Sequence, residues 1–146
     1  ATTEIYTLSL HDALPICISV ATALAQGLGG KVKGALEKAI QLAPEHADAH
    51  IALGAFHAEV IDKVGGLLGR TQGANKDTGL AMYKTALKLN PTSAIAMVEY
   101  ANGLVMLEGE KKMKEATQLY KDAAACEPLD AMERLDVEMA KAELED

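Results

Sequence analysis

Residues 79–91, GLAMYKTALKLNP, carry the pattern that decides the fold of this chain. A small residue, a bulky residue four positions later and an alanine three positions after that lie on one face of a helix, which a proline ends five positions further on. The same pattern recurs within KVKGALEKAIQLAP (31–44) and in ATQLYKDAAACEP (116–128). Three copies of one helix predict an array of repeated helical units.

A second amphipathic run follows each of the three prolines after a short turn. These runs are ADAHIALGAFHAEV from residue 47, SAIAMVEYANGLVML from residue 93 and AMERLDVEMAKAEL from residue 131. Ala, Leu, Glu and Lys are frequent throughout, and these residues favour helix. The small residues of the recurring pattern let a neighbouring helix approach closely. The sequence therefore predicts an all-α fold built from antiparallel helix hairpins.

The two alternating patterns resemble the tetratricopeptide repeat (TPR) over about residues 29–146. In that family the first helix of each pair carries a bulky residue, a Leu-Gly pair and an aromatic residue. Leu53 and Gly54 stand side by side here, with histidines in the neighbouring aromatic positions. The second helix carries the alanine, aromatic, alanine and proline that recur above. The resemblance implies a TPR-like α-solenoid of antiparallel helix hairpins.

The resemblance also divides the chain into units, and the spacing of these units departs from the family. The usual period is about 34 residues, whereas Pro44 and Pro91 are 47 positions apart and Pro91 and Pro128 are 37 apart. The larger excess is an insertion at about 61–78, whose glycines predict a flexible loop that could follow an extended first helix. Within a domain at 17–146, the predicted units are the second helix of a truncated repeat (31–44), a repeat with the insertion (47–91), a second repeat (94–128) and a C-terminal capping helix (129–146).

The last predicted helix has one apolar and one charged face. Met132, Leu135, Met139 and Ala142 share the apolar face, and charged residues occupy the rest of the helix. Repeat arrays need a terminal cap with a polar outer face to remain soluble. We therefore expect the apolar face to pack on the preceding helix pair and the charged face to meet solvent.

Residues 1–16, ATTEIYTLSLHDALPI, resemble the conceptual translation of a short-read sequencing adapter. Every residue matches in one reading frame, and the base left over is compatible with the first codon position of Cys17. A signal peptide is the alternative, but Glu4, His11 and Asp12 interrupt its apolar core and no basic residue precedes that core. We therefore leave these residues out of functional inference and expect the rest to be the C-terminal part of a longer protein.

Charge and composition argue against several classes of protein. The net charge of −7 and the scattered lysines disfavour a nucleic-acid surface, which would carry a basic stripe. No stretch reaches the roughly 18 consecutive apolar residues that a membrane span needs. Cys17 and Cys126 lie 109 positions apart and form neither a disulfide framework nor a zinc motif. We expect a soluble protein. The sequence does not determine its cellular compartment, although it favours the cytoplasm over the periplasm.

Motifs for catalysis or cofactor binding are incomplete. His46 and His50 have a spacing that can share a metal, but a packing role fits better because the repeat has aromatic positions in this helix. The glycines at 65–71 resemble a phosphate loop that is one residue short and lacks its lysine. Cys126, at a helix end, is expected to pack as a small apolar side chain. We predict no catalytic, cofactor-binding or metal site, and therefore no enzyme.

In TPR arrays the first helices line a concave groove that can hold an extended peptide or a partner helix. The resemblance implies that the residues at the family's groove positions face this groove. In this sequence they are Asp48, Ile51, Ala55, Ala58, Ile95, Val98, Asn102 and Val105. Most are apolar, which favours an apolar peptide or partner helix over the acidic tails that some family members clamp with Lys and Asn. The predicted function is a protein-interaction scaffold. In the alternative, these residues pack against a missing N-terminal part.

Two further possibilities are left open by the sequence. A Gly-rich insertion between repeat helices also resembles the insertions of two other groups of TPR proteins. One group regulates microtubule dynamics, and the other consists of periplasmic transporter-associated components. Membership of the second group would imply binding of a small ligand or docking to a transport protein. The run CISVATALAQGLGG (17–30) is interpreted as the remnant of a truncated first helix. Its partner helix would then expose apolar surface, through which the chain could self-associate.

Overall fold

The computed structural model describes residue 22 and residues 26–145, and every regular element in these ranges is helical. The adapter-like segment 1–16 and much of the predicted helix remnant (17–30) lie outside them. The predicted all-α fold class is confirmed for the described part of the chain. Its elements are α1 (Leu28–Leu42), α2 (Ala47–Thr71), α3 (Lys76–Leu89), α4 (Ala94–Glu108), a 3-10 turn (Gly109–Lys112), α5 (Met113–Ala124) and α6 (Ala131–Ala142).

Side chains at the N-terminal ends explain where three of the helices begin. Asn75, Ser93 and Asp130 each accept hydrogen bonds from backbone N–H groups of the first turn, at distances of 2.8–3.3 Å. Such caps satisfy donors that a helix leaves unpaired, and each stabilises its helix by about 1 kcal/mol. The three repeat prolines fall in the turns between helices. Local sequence therefore sets both ends of these elements.

The helices pack in a regular order. Each helix from α1 to α6 contacts the next one along the chain, and α4 also contacts both α2 and α6. We call α2, α4 and α6 the first-helix row. Helix α3 lies against α2 and α4, and α5 lies against α4 and α6. Helix α4 therefore has neighbours on four sides, which makes it the centre of the described fold.

One aromatic ring joins three of these helices. Tyr83 on α3 is 1% exposed and lies against Gly54 of α2 and Gly103 of α4. A Cβ atom at position 54 would lie 3.0 Å from the ring, and one at position 103 would lie 2.8 Å from Cζ and closer still to Cε2. The ring also stacks on Tyr100, with centroids 5.6 Å apart. The two glycines are needed because any side chain there would displace the ring.

The predicted insertion at 61–78 is mostly helix rather than a loop. Helix α2 continues to Thr71, with a kink at Gly65 where φ is 79°. A short turn through Gly73, where φ is 78°, leads into α3 at Lys76. The first helix is extended, and the predicted flexible loop is reduced to the turn at 72–75. The glycines permit the positive φ of the kink and the turn, and do not loosen the whole segment.

The last helix, α6, packs with a different face toward the core than the sequence predicted. Val137 and Ala140 of α6 are 4% and 0% exposed and belong to the main core. The predicted inward residues Met132, Leu135 and Met139 are 67%, 60% and 46% exposed. The expectation that this apolar face packs on the preceding pair was wrong. Small and branched side chains on the other face let α6 sit closely against α4 and α5, so the bulky stripe is left outside.

We predict that Gly103→Ala lowers the free energy of unfolding, because its Cβ would collide with the Tyr83 ring. Overpacking typically costs about 1–3 kcal/mol, which exceeds the gain of up to about 1 kcal/mol from better helix propensity. Urea denaturation followed by circular dichroism measures the change. Gly34→Ala is the matched control, since its Cβ would meet nothing within 4 Å, and it should be neutral or stabilising. Equal stability of both variants would show that the ring is free to move aside.

Candidate binding cleft

The predicted groove residues divide into buried and accessible ones. Ile51, Ala58 and Val98 are 7%, 0% and 0% exposed, so their side chains lie in the interior and do not reach solvent. Neighbours on four helices cover more of α4 than the family pattern implied, and the accessible stripe of the first-helix row is correspondingly narrow. The predicted groove residues with accessible surface are Asp48, Ala55, Ile95, Asn102 and Val105.

A cleft lies at the C-terminal end of the first-helix row. It has a volume of about 610 Å³ and brings together side chains of α4, of α5 and of the segment that follows α6. Two of the predicted groove residues, Asn102 and Val105, line it. Sequence reasoning missed Met106, the neighbour of Val105 on α4, and the residues that come from α5 and from beyond the end of α6. The lining residues are Asn102, Val105, Met106, Met113, Thr117, Tyr120, Glu143 and Leu144.

A hydrogen bond fixes the polar side of this cleft. The Tyr120 hydroxyl donates to Oδ1 of Asn102 at 2.5 Å, which ties α5 to α4. Burial raises the pKa of the Tyr120 hydroxyl, and the carboxylates of Glu143 and Glu99 raise it further. The hydroxyl therefore stays protonated and keeps donating. With Oδ1 engaged, the amide Nδ2 is the donor that Asn102 can offer to a bound backbone carbonyl.

The polar side chains of the cleft are suited to ligand binding rather than to catalysis. The Thr117 hydroxyl donates to the Met113 carbonyl at 2.8 Å, so it is engaged within its own helix. The remaining lining side chains are mostly apolar and include two methionines, whose flexible thioethers adapt to different ligand shapes. No histidine, cysteine or lysine lines this cleft. A nucleophile with a neighbouring base is therefore not assembled by its described residues.

Carboxylates accompany the first-helix row. Desolvation on burial raises the pKa of the Glu99 carboxyl on α4, and the nearby Glu59 carboxylate of α2 raises it further. Burial also raises the pKa of the Asp136 carboxyl on α6, with Asp48 of α2 among the acidic groups that add to the effect. Successive helices of the row thus bring acidic groups together. Such carboxylates would favour a basic ligand over an acidic one.

Sequence reasoning named Asp48 but missed Glu59, Glu99 and Asp136. The family resemblance predicted that positions 95, 98, 102 and 105 of α4 face the groove. In the structure Val98 is buried and Glu99 is partly accessible. The available signal was the spacing of Glu99 from Ile95 and Asn102, since positions at i, i+4 and i+7 share a helical face. The accessible stripe is therefore more acidic than the predicted one.

The histidines have structural partners. The His50 ring is 6% exposed, and its Nε2 lies 2.9 Å from the carbonyl of Pro44. The His57 ring is 1% exposed, and its Nδ1 accepts a hydrogen bond from the Asn75 backbone N–H at 3.2 Å. Burial lowers the pKa of His57, with Lys33 adding to the effect. Within the described ranges, no group of three His, Cys, Asp or Glu side chains could hold a metal ion.

Cys126 lines a smaller pocket of about 250 Å³ beside the turn into α6. Its thiol donates to the Asp122 carbonyl at 3.4 Å. Burial raises the pKa of this thiol, and the carboxylates of Asp122 and Glu133 raise it further. The thiol therefore remains protonated, and a protonated thiol is a poor nucleophile. This environment agrees with a packing role for Cys126.

Comparison with known proteins does not assign a family. No protein-family model matches this chain, and no curated protein matches its sequence. Among the helices that the structure describes, none combines the length and the apolar character needed to cross a membrane. The function is therefore inferred from the packing order, the cleft and the charges around it.

We predict that Glu99→Gln raises the thermal stability at about pH 7 by a few degrees and has no effect at about pH 4, near the ordinary pKa of Glu. The folded state raises the pKa of Glu99, so the stability contributed by the protonated form is present at low pH. That stability is lost as the pH rises through the raised pKa. Thermal unfolding followed by circular dichroism at both pH values measures the effect.

The control for this prediction is Glu110→Gln in the exposed 3-10 turn. It also removes one carboxylate and should show no such dependence on pH. A gain for Glu99→Gln that is equal at both pH values would contradict the electrostatic origin.

Proposed function

We propose that this chain is a protein-interaction module of the TPR type, whose first helices bind a peptide segment or a partner helix. The packing order supports the proposal. Helices α2, α4 and α6 are adjacent in a row, and α3 and α5 each lie against two of them. Stacked helix hairpins would pack in this way, and their first helices would share one surface. The repeat pattern in the sequence predicts the same order.

The cleft beside Asn102 and Val105 is the proposed anchoring point. Its volume of about 610 Å³ lies within the range of about 300–1,000 Å³ that is usual for ligand pockets. Val105, Met106, Met113 and Leu144 supply apolar surface for one or two side chains of the partner. The amide Nδ2 of Asn102 can donate to a partner carbonyl, which would fix the register of an extended segment.

Charge refines the chemistry of the partner. Glu143 lines the cleft, and the carboxylates of Glu143 and Glu99 both raise the pKa of the Tyr120 hydroxyl. An acidic tail would meet repulsion there, whereas a Lys or Arg side chain next to the apolar anchor would be attracted. The proposed partner is therefore a segment that combines an apolar anchor with a neighbouring basic residue.

The decisive experiment is selection of peptides from a random displayed library on the intact chain, followed by fluorescence-anisotropy titration. We expect the selected peptides to share an apolar residue and a nearby basic residue. Val105→Asp should weaken their binding at least about tenfold, which corresponds to about 1.4 kcal/mol. Glu99→Gln should weaken it less and should reduce its dependence on salt. Selected peptides that bind the Val105→Asp chain with unchanged affinity would overturn the proposed site.

The transporter-associated alternative draws its support from the extension of α2. Beyond the kink at Gly65, Leu67 and Leu68 are 82% and 59% exposed, which is unusual for adjacent leucines. A docking partner that used this extension would lose affinity on Leu67→Glu and would be insensitive to Val105→Asp. The same pair of variants therefore separates the two functions.

A further inference from the structure

The outward stripe of α6 is an exposed apolar surface on the last helix of the first-helix row. Met132, Leu135 and Met139 follow one another at intervals of three and four residues and are 67%, 60% and 46% exposed. Ala142 continues the same stripe and is exposed as well. Because Val137 and Ala140 already pack on the core from the other side, α6 has two apolar faces. A helix with a single partner would need only one of them.

Helix α1 carries a second open stripe. Its positions follow a spacing of three and four residues, so they share one helical face. Val32 is 49% exposed and Leu42 is 74% exposed. This open stripe consists of Leu28, Val32, Ala35, Ala39 and Leu42.

The repeat pattern shows what covers this face elsewhere. Val32 and Ala39 hold the two small positions of the pattern in α1 and are both exposed. The corresponding residues of α3 and α5, which each lie between two members of the first-helix row, are all buried. These counterparts are Gly79, Ala86, Ala116 and Ala123. Helix α1 packs against α2 on one side, and its open face is the one that a further first helix would cover.

The two open stripes are complementary in shape and charge. In a contact between the two stripes, bulky side chains of α6 would face the small Ala35 and Ala39 of α1, as in the ridges and grooves of packed helices. Lys31 and Lys38 flank the α1 stripe, each next to one of its apolar residues. Asp136 and Glu138 lie on opposite edges of the α6 stripe, with Glu138 also 2.9 Å from Lys141, so one acidic edge can face the α1 edge that carries both lysines.

Pairing two copies of the same stripe would be less favourable. An antiparallel α6–α6 contact would place Asp136 next to Asp136 of the other copy, and the two carboxylates would repel each other. An α1–α1 contact would bring the lysines of the two copies together in the same way. Only the mixed contact sets basic edges against acidic ones. Charge complementarity therefore selects α1 of another copy as the occupant of the α6 stripe.

We propose that α6 of one molecule docks on α1 of a second molecule, head to tail, as α2 packs on α3 and α4 packs on α5. Such a contact joins two different surfaces, so a dimer still has one free α1 stripe and one free α6 stripe. Further molecules can add to these stripes, and longer oligomers form as the protein concentration rises. Because the contact uses neither Asn102 nor Val105, its failure can be told apart from failure of the proposed peptide site. Self-association would also be weaker at high salt.

Sedimentation velocity over a wide range of protein concentration tests this contact. The unmodified chain should form dimers and longer species, and Val32→Glu or Leu135→Glu alone should give monomers at every concentration. An equimolar mixture of the two variants should form a dimer and stop there, because one intact α1 stripe meets one intact α6 stripe. Leu67→Glu, which charges an exposed leucine away from both stripes, should associate like the unmodified chain.

The remaining outcomes overturn the proposal. These are an unmodified chain that stays monomeric, a single variant that still associates, and a mixture that stays monomeric. Circular dichroism confirms that each variant is folded. If either variant loses helicity, Ala39→Glu and Met139→Glu replace it, since both positions are exposed on the same stripes.

Discussion

The contact of Tyr83 with Gly54 and Gly103 is the constraint on which the rest of the fold depends. One ring on α3 fills the space between α2 and α4, and neither neighbour can carry a side chain at the point of contact. This fixes the distance and the register between the first two members of the first-helix row. Tyr120 has a related role in the next repeat, where its hydroxyl holds Asn102 of α4. The aromatic position of the recurring pattern thus ties each second helix to the row.

The row determines what remains accessible for binding. Helix α4 is covered by four neighbours, so Val98 is buried, while a stripe with Ile95, Glu99 and Asn102 stays partly accessible. That stripe ends in a cleft between α4, α5 and the segment after α6. Because several carboxylates border the row, charge as well as shape limits the partners that could bind there. An apolar anchor with a basic neighbour satisfies both conditions, and an acidic tail satisfies neither.

The proposed peptide site and the proposed head-to-tail contact have one physical origin. A stacked helix buries its apolar faces only when neighbours lie on both sides, so the elements at the two ends of the described fold keep faces open. On α1 the open face has two alanines at its centre and lysines on one edge, and on α6 it is bulky with acidic edges. Helices α4 and α5 form a separate cleft with the segment that follows α6. Binding a partner and stacking with another copy would therefore use different surfaces of the same array.

The sequence alone determined the recurring helices and their order, because local rules decide them: periodic apolar residues, and prolines that a helix cannot pass. It did not determine that α2 continues to Thr71. It also indicated that Tyr83, Tyr120 and their small neighbours pack together, since the pattern repeats. Tertiary structure alone decided which face of each helix is covered. Val98 and Glu99 are adjacent in sequence, and only the presence of α2 and α6 on either side of α4 buries one and leaves the other partly accessible. Helix α6 had two faces with apolar residues, and packing chose Val137 and Ala140 because small side chains allow the closer approach. A helical period specifies a stripe, but the neighbours that fill the space around it specify which stripe stays free to bind.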